Sequence, residues 1–118
     1  MSASPHPKAA WPAPEQLEIS AEQLQALRAG VSQSPEAAPF RLIDCREEDE
    51  WQRSRIEGAE LLPLSRFGEI YAGALPDRTE KLVIYCQHGM RSGKATEFLR
   101  QRGYPQVWSL AGGIEDWT

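Results

Sequence analysis

The sequence is short of cysteine: Cys45 and Cys86 are the only two in 118 residues. Two thiols 41 positions apart do not make the dense disulfide framework of a small secreted domain, so a reducing, cytoplasmic setting is expected. No Cys-x-x-Cys or His-x-x-His spacing occurs; a metal finds no ligand set, and neither metal nor cofactor is expected. A long apolar run and the apolar core of a signal peptide are missing too, which argues for a soluble protein with no membrane partner. Positive charge is in deficit, with 13 Lys and Arg against 17 Asp and Glu and a net charge of −4. Such a balance argues against nucleic acid as the main partner. Internal repeats are absent.

What is present suits one domain with a modest core. Residues 1–15 carry Pro5, Pro7, Pro12 and Pro14 among Ala and Ser and read as an extended or disordered leader. Trp11 is its one large apolar group, expected to dock on the domain formed by residues 16–118. Leu17 to Ile19 suggests a short strand. Ser20 and Gln23 offer a capping box for a helix reaching Gly30. Residues 31–39 read as a loop, Phe40 to Asp44 as a strand, and Arg46 to Arg53 as a helix with an acidic first turn. Leu61 to Leu64 is a brief apolar piece, and Ser65 is a candidate cap for a helix through Phe67, Ile70 and Tyr71. Lys81 to Tyr85 has the composition of a strand buried in a parallel sheet. Helical spacing follows from Ser92, with Gly103 as its C′ residue. Gln106 to Leu110 is a last strand, and Gly112-Gly113 turns the chain into a final helical turn. Alternating strands and helices of this length argue an α/β, doubly wound sheet whose ligands bind beyond the strand C-termini.

Cys86 stands at such an end. Strand, Gly-containing turn and helix aim backbone N–H groups and a helix N-terminus at one spot, where an anion is stabilised. A free thiol has a pKa of about 8.5 and is only about 3% thiolate at neutral pH, but such surroundings bring it below 7. The sequence therefore points to an ionised sulfur, open to reagent. Residues 86–104 hold four of the 13 basic residues (Arg91, Lys94, Arg100, Arg102) and one of the 17 acidic ones, Glu97. That mouth fits a small anionic substrate.

The run Cys86-Gln87-His88-Gly89-Met90-Arg91-Ser92 resembles the active-site loop of the rhodanese (sulfurtransferase) family, Cys, four residues, Arg. Leu42-Ile43-Asp44-Cys45-Arg46-Glu47 with Glu50-Trp51 resembles that family's Leu-Ile-Asp-Val-Arg segment, and Leu110-Ala111-Gly112-Gly113-Ile114-Glu115-Asp116-Trp117 its Gly-Gly-Ile-x-x-Trp ending. The resemblance covers about residues 17–117. It implies a five-stranded, mainly parallel sheet with helices on both faces. It also implies a thiosulfate sulfurtransferase in which Cys86 accepts sulfur from a small anionic donor and passes it, as a persulfide, to a thiol, a protein or cyanide. Gln87, His88, Gly89, Met90, Arg91 and Ser92 would bind the substrate, Arg91 lending charge and Gly89 allowing the turn. Asp44, Arg46 and Glu50 look structural by the same resemblance. Ser54-Arg55-Ile56-Glu57-Gly58-Ala59 departs from the family's Gly-His-Ile-Pro-Gly-Ala, and little chain follows Trp117 to cover the site. Cys45 replaces an aliphatic residue; packing is its first reading and a resolving thiol its second.

Two other readings compete. Cysteine-based phosphatases and arsenate reductases place five residues between Cys and Arg, and only four intervene here. A persulfide carrier or regulatory module that receives sulfur from a protein partner uses the same loop. A nucleotide-binding P-loop fails on spacing, because Gly89 and Gly93-Lys94 are separated by three residues and Ala95 stands in place of the hydroxyl.

Overall fold

The computed structural model describes residues 11–33 and 40–117. The first ten residues of the expected leader and most of the expected 31–39 loop lie outside them. Strands β1 (Glu18–Ile19), β2 (Phe40–Asp44), β3 (Glu60–Leu61), β4 (Lys81–Tyr85) and β5 (Val107–Leu110) alternate with helices α1 (Ala21–Gln33), α2 (Glu48–Arg53), α3 (Phe67–Ala74) and α4 (Met90–Gln101). The sheet is five-stranded in the order β1-β5-β4-β2-β3, and every adjacent pair is parallel.

Because side chains alternate along a strand, the two faces carry separate cores. Ile43, Cys45, Leu82, Ile84, Cys86 and Val107 point to one face and pack with Phe67 of α3 and Ala95 and Leu99 of α4. Leu42, Val83, Tyr85, Trp108 and Leu110 point to the other and pack with Leu24 and Leu27 of α1 and with Ile56. Full burial of a Leu or Ile is worth about 1.5–3 kcal/mol, so these two layers supply most of the drive to fold. Part of the expected leader is docked as well. Trp11 stacks on Trp108 with ring centroids 5.1 Å apart and meets Phe40 edge-on at 5.2 Å, while Trp108 Nε1 donates to the Ala13 carbonyl at 3.1 Å.

Chain direction places the functional end. The connection leaving β2 runs over the face that holds Ile56, whereas the one leaving β4 enters α4 on the opposite face. The two paths part between the C-terminal ends of β2 and β4, the switch point at which open α/β sheets bind ligands. Asp44 lies opposite Tyr85 in register, and Cys45 N–H donates to the Tyr85 carbonyl at 3.0 Å. Cys45 and Cys86 therefore end their strands side by side.

Three local expectations need correction. Helix α1 continues three residues past Gly30, because an interior Gly costs only about 1 kcal/mol against Ala, too little to end the helix there. Helix α2 begins at Glu48 rather than Arg46, since Arg46 is held in the core by Asp44. Ser65 does not cap α3: it lies inside a 3-10 turn, Leu64–Arg66, and its hydroxyl donates to Glu47 Oε1 at 2.7 Å. Other signals hold. Ser20 and Gln23 form the reciprocal capping box, both contacts at 3.0 Å. Gly103 closes α4 with Tyr104 N–H on the Leu99 carbonyl and Gly103 N–H on that of Arg100, a Schellman ending.

Candidate active site

Cys86 follows the last residue of β4, and the chain turns at once into α4. The turn requires Gly89, which has φ +109° and ψ −14°, a left-handed conformation that a Cβ disfavours. It brings two amides onto the sulfur: Gly89 N–H donates to Cys86 Sγ at 3.1 Å and Ser92 N–H at 3.3 Å. Ser92 Oγ lies 3.5 Å from the same atom. Helix α4 thus starts two residues earlier than its apolar spacing suggests, because its first turn is held by the sulfur rather than by packing.

The loop is fastened from the C-terminal side. Ile114 N–H donates to the Cys86 carbonyl at 2.9 Å and Glu115 N–H to that of Gln87 at 3.2 Å. Gly113 makes this approach possible, since a Cβ there would overlap both carbonyls. The Gln87 side chain is tied at both ends: its Nε2 donates to Glu115 Oε2 at 2.7 Å, and its Oε1 accepts from Arg46 Nη1 at 3.3 Å. Arg46 is itself buried against Asp44, with Nη2 to Oδ2 at 2.8 Å, and donates to the Ser54 carbonyl at 2.5 Å. The Asp-x-Arg segment therefore supports the loop through Gln87.

Each loop side chain has a distinct place. His88 and Met90 are exposed at the rim. The Arg91 guanidinium makes a bidentate pair with Glu50, at 2.7 and 2.9 Å. The pair makes Glu50 part of the mouth, and Arg91 is held there near enough for the Cys86 charge to act on it. The pair holds the Glu50 carboxyl down to about 2, chiefly through the Arg91 hydrogen bonds and against partial burial.

The sulfur environment is more enclosed than expected. Cys86 is 1% exposed, because the loop curls around the sulfur and satisfies its own donors on it. A cavity of about 330 Å³, lined by Arg46, Glu50, Arg53, Ser54 and Gln87, opens beside the loop. The Cys86 thiol is nevertheless pushed well below its ordinary range, chiefly by the neighbouring Cys45 thiol, with the Ser92 hydroxyl and amide and the Gly89 amide adding to this and burial opposing them. Cys45, wholly buried, is pushed up by the neighbouring Cys86 sulfur and by burial. The surroundings favour the negative charge on Cys86 over Cys45.

Sequence reasoning missed Ser109. It is fully buried on β5 and shares a 2.7 Å hydrogen bond with Ser92 Oγ. A lone hydroxyl within the apolar strand Val-Trp-Ser-Leu was the available signal, since a buried hydroxyl needs a partner. Among the described residues no group of three or more His, Cys, Asp or Glu is placed to hold a metal.

The comparisons agree with this geometry. The model of the rhodanese-like domain family matches residues 20–118. The chain is 37% identical over 82 residues to the thiosulfate sulfurtransferase PspE of Escherichia coli, covering 70% of this chain and 78% of that protein. It is 30% identical over 76 residues to the thiosulfate sulfurtransferase GlpE of Coxiella burnetii, covering 64% and 69%. The human single-domain sulfurtransferase superposes with a TM-score of 0.70 at 28% identity, over 90% of this chain and 96% of that one. With its five-stranded parallel sheet and a cysteine loop at the switch point, the chain belongs to the rhodanese-like domain family and is a rhodanese-like sulfurtransferase.

Proposed function

We propose that Cys86 carries the transferred sulfur as a persulfide. The Cys86 thiolate attacks the outer sulfur of thiosulfate, the sulfur–sulfur bond of the donor breaks, sulfite departs with the electron pair, and Cys86–S–S⁻ remains. A thiol or cyanide acceptor then takes the terminal sulfur and the thiolate returns, a double displacement. The observation that carries this reading is the convergence of the Gly89 and Ser92 amides on Cys86 Sγ, since fixed main-chain donors stabilise thiolate and persulfide without reorganising. No general base is needed, because nucleophile and leaving group are both anions. Gln87, His88, Met90 and Arg91 line the mouth through which donor and acceptor pass, and opening of the rim is part of the cycle, given the 1% exposure of Cys86. A reducing, cytoplasmic compartment suits two free thiols.

A protein donor in place of thiosulfate is the second reading. It is favoured by Met90, which stands 76% exposed beside the sulfur loop, an apolar contact for a partner surface. Intact mass after exposure to thiosulfate tests the main reading: the wild type gains one sulfur atom and Cys86→Ser gains none. An unmodified wild type that is loaded by a cysteine desulfurase transfers the assignment to the carrier. An adduct that persists in Cys86→Ser removes both.

A further inference from the structure

Cys45 takes no covalent part in the transfer reaction, yet it is the side chain placed beside the reacting sulfur from the adjacent strand. Both thiols are free, and both point to the same face of the sheet within one core cluster. The β2–β4 register runs through Asp44 and Tyr85 to the two cysteines. Neighbouring strands lie about 4.8 Å apart, inside the Cα separation of roughly 4.4–6.8 Å that a disulfide spans. Their strand positions thus lie within the Cα range of a disulfide.

The surroundings of Cys86 Sγ differ by direction. The sheet order places β2, with Cys45, on one side of β4 and β5, with Ser109, on the other. Ser92, whose amide reaches the sulfur and whose hydroxyl meets Ser109, belongs to the β5 side. Cys45 and Ser109 therefore flank the β4 end from opposite sides, and displacement at Cys86 Sγ by Cys45 needs the departing sulfur on the side away from β2.

From this placement we propose that Cys45 displaces hydrosulfide from the Cys86 persulfide, so that the protein reduces sulfane sulfur to sulfide and closes a Cys45–Cys86 disulfide. The step rests on the persulfide reading above. The sulfur of Cys45 forms a bond to Cys86 Sγ, the bond from Cys86 Sγ to the terminal sulfur breaks, and the Cys45 proton leaves with that sulfur as HS⁻. Two cysteine sulfurs each lose one electron and the sulfane sulfur gains two, so no outside oxidant enters. Two thiol equivalents, from a low-molecular-weight thiol or a protein dithiol, reduce the disulfide and complete the turnover. In the resting state the negative charge favoured on Cys86 holds the Cys45 thiol in its protonated form; sulfur loading replaces that charge with a neutral, attackable sulfur.

The test uses the full chain without added thiol. Wild type, Cys45→Ala and Cys45→Val are loaded with thiosulfate in the absence of air, freed of small molecules, and followed by intact mass and by sulfide release. In the wild type the one-sulfur adduct gives way to a species two hydrogens lighter than the reduced protein, with one sulfide per chain. In either variant the adduct lasts more than about tenfold longer, since the tethered thiol is gone. Two substitutions are used because the smaller side chain leaves a void that the larger one fills. A wild-type adduct as long-lived as that of both variants overturns the proposal, as does sulfur moved to Cys45 with no sulfide released. An adduct that forms in the Cys45 variants shows that persulfide loading stands by itself; an adduct in none of the three proteins overturns the loading step, and this proposal with it.

Discussion

The ends of β2 and β4 lie side by side, and each finishes in a cysteine, yet they are built from opposite materials. At the end of β4 the polar groups are main-chain amides aimed at one sulfur. At the end of β2 they are side chains, Asp44 and Arg46, 0% and 2% exposed, closed on each other. The first arrangement leaves a charge without a counter-charge in contact, held by dipoles, and so available to a reagent. The second neutralises its charges internally and braces the loop through Gln87. The same residue type, cysteine, is pushed down at one end and up at the other because of which groups surround it.

Breaking the β2 side has the largest expected effect. Arg46→Met leaves Asp44 buried without its partner, a change that costs about 3–5 kcal/mol; urea unfolding should show a lower midpoint with an unchanged slope. A loss below about 1 kcal/mol would mean that the pair does not brace the loop. On the β4 side, Ser109→Ala removes one hydroxyl from a buried network and costs about 1 kcal/mol. Bookkeeping of protons gives it a second consequence. Among the described residues the side-chain partner of Ser109 is Ser92 Oγ, so a satisfied Ser109 donates and leaves the Ser92 proton for the Gly89 carbonyl, 3.2 Å away, or for the sulfur. The variant should slow alkylation of Cys86 a few-fold at acidic pH, with the deficit vanishing where the thiol is ionised anyway.

The smallest effect is expected at the rim. Glu50 has a folded-state pKa below its unfolded value, so its contribution is fully present above the unfolded pKa of about 4.3 and is lost as pH falls toward the folded value. At neutral pH, Glu50→Gln should be less stable than wild type by no more than about 1 kcal/mol, because the side chains of Arg91 and Glu50 remain 35% and 21% exposed. The two stability curves should converge only as the pH falls to about 2, the folded value. A gap that is constant with pH would assign the effect to packing instead.

How much of this was legible beforehand follows from the same contrast. The boundaries of β2 and β4 could be read directly, since a continuous apolar run between charges suits a strand covered on both faces. Cys86 and its loop were legible because Cys, Gly and Arg occur within six positions of one another. Their partners were not. Glu50 on Arg91, Glu115 on Gln87, Ser109 on Ser92 and Cys45 on Cys86 are all contacts between elements, set by strand order and register, and no local spacing encodes them. The setting of Arg91 was hidden for this reason: its position near a helix start was visible, and the carboxylate waiting on α2 was not. The enclosure of Cys86 was equally hidden, because it depends on how tightly Gly113 lets the last turn approach.

The account stands on the ionisation of one sulfur, and a thiolate titration reads it directly. Ultraviolet absorbance of the wild type minus that of Cys86→Ser, followed from acid to alkaline pH, should give a midpoint well below 7. In Cys45→Val the midpoint should lie higher, since the first of the donors is gone. A wild-type midpoint near the ordinary thiol value of about 8.5, unmoved by the Cys45 substitution, would contradict it.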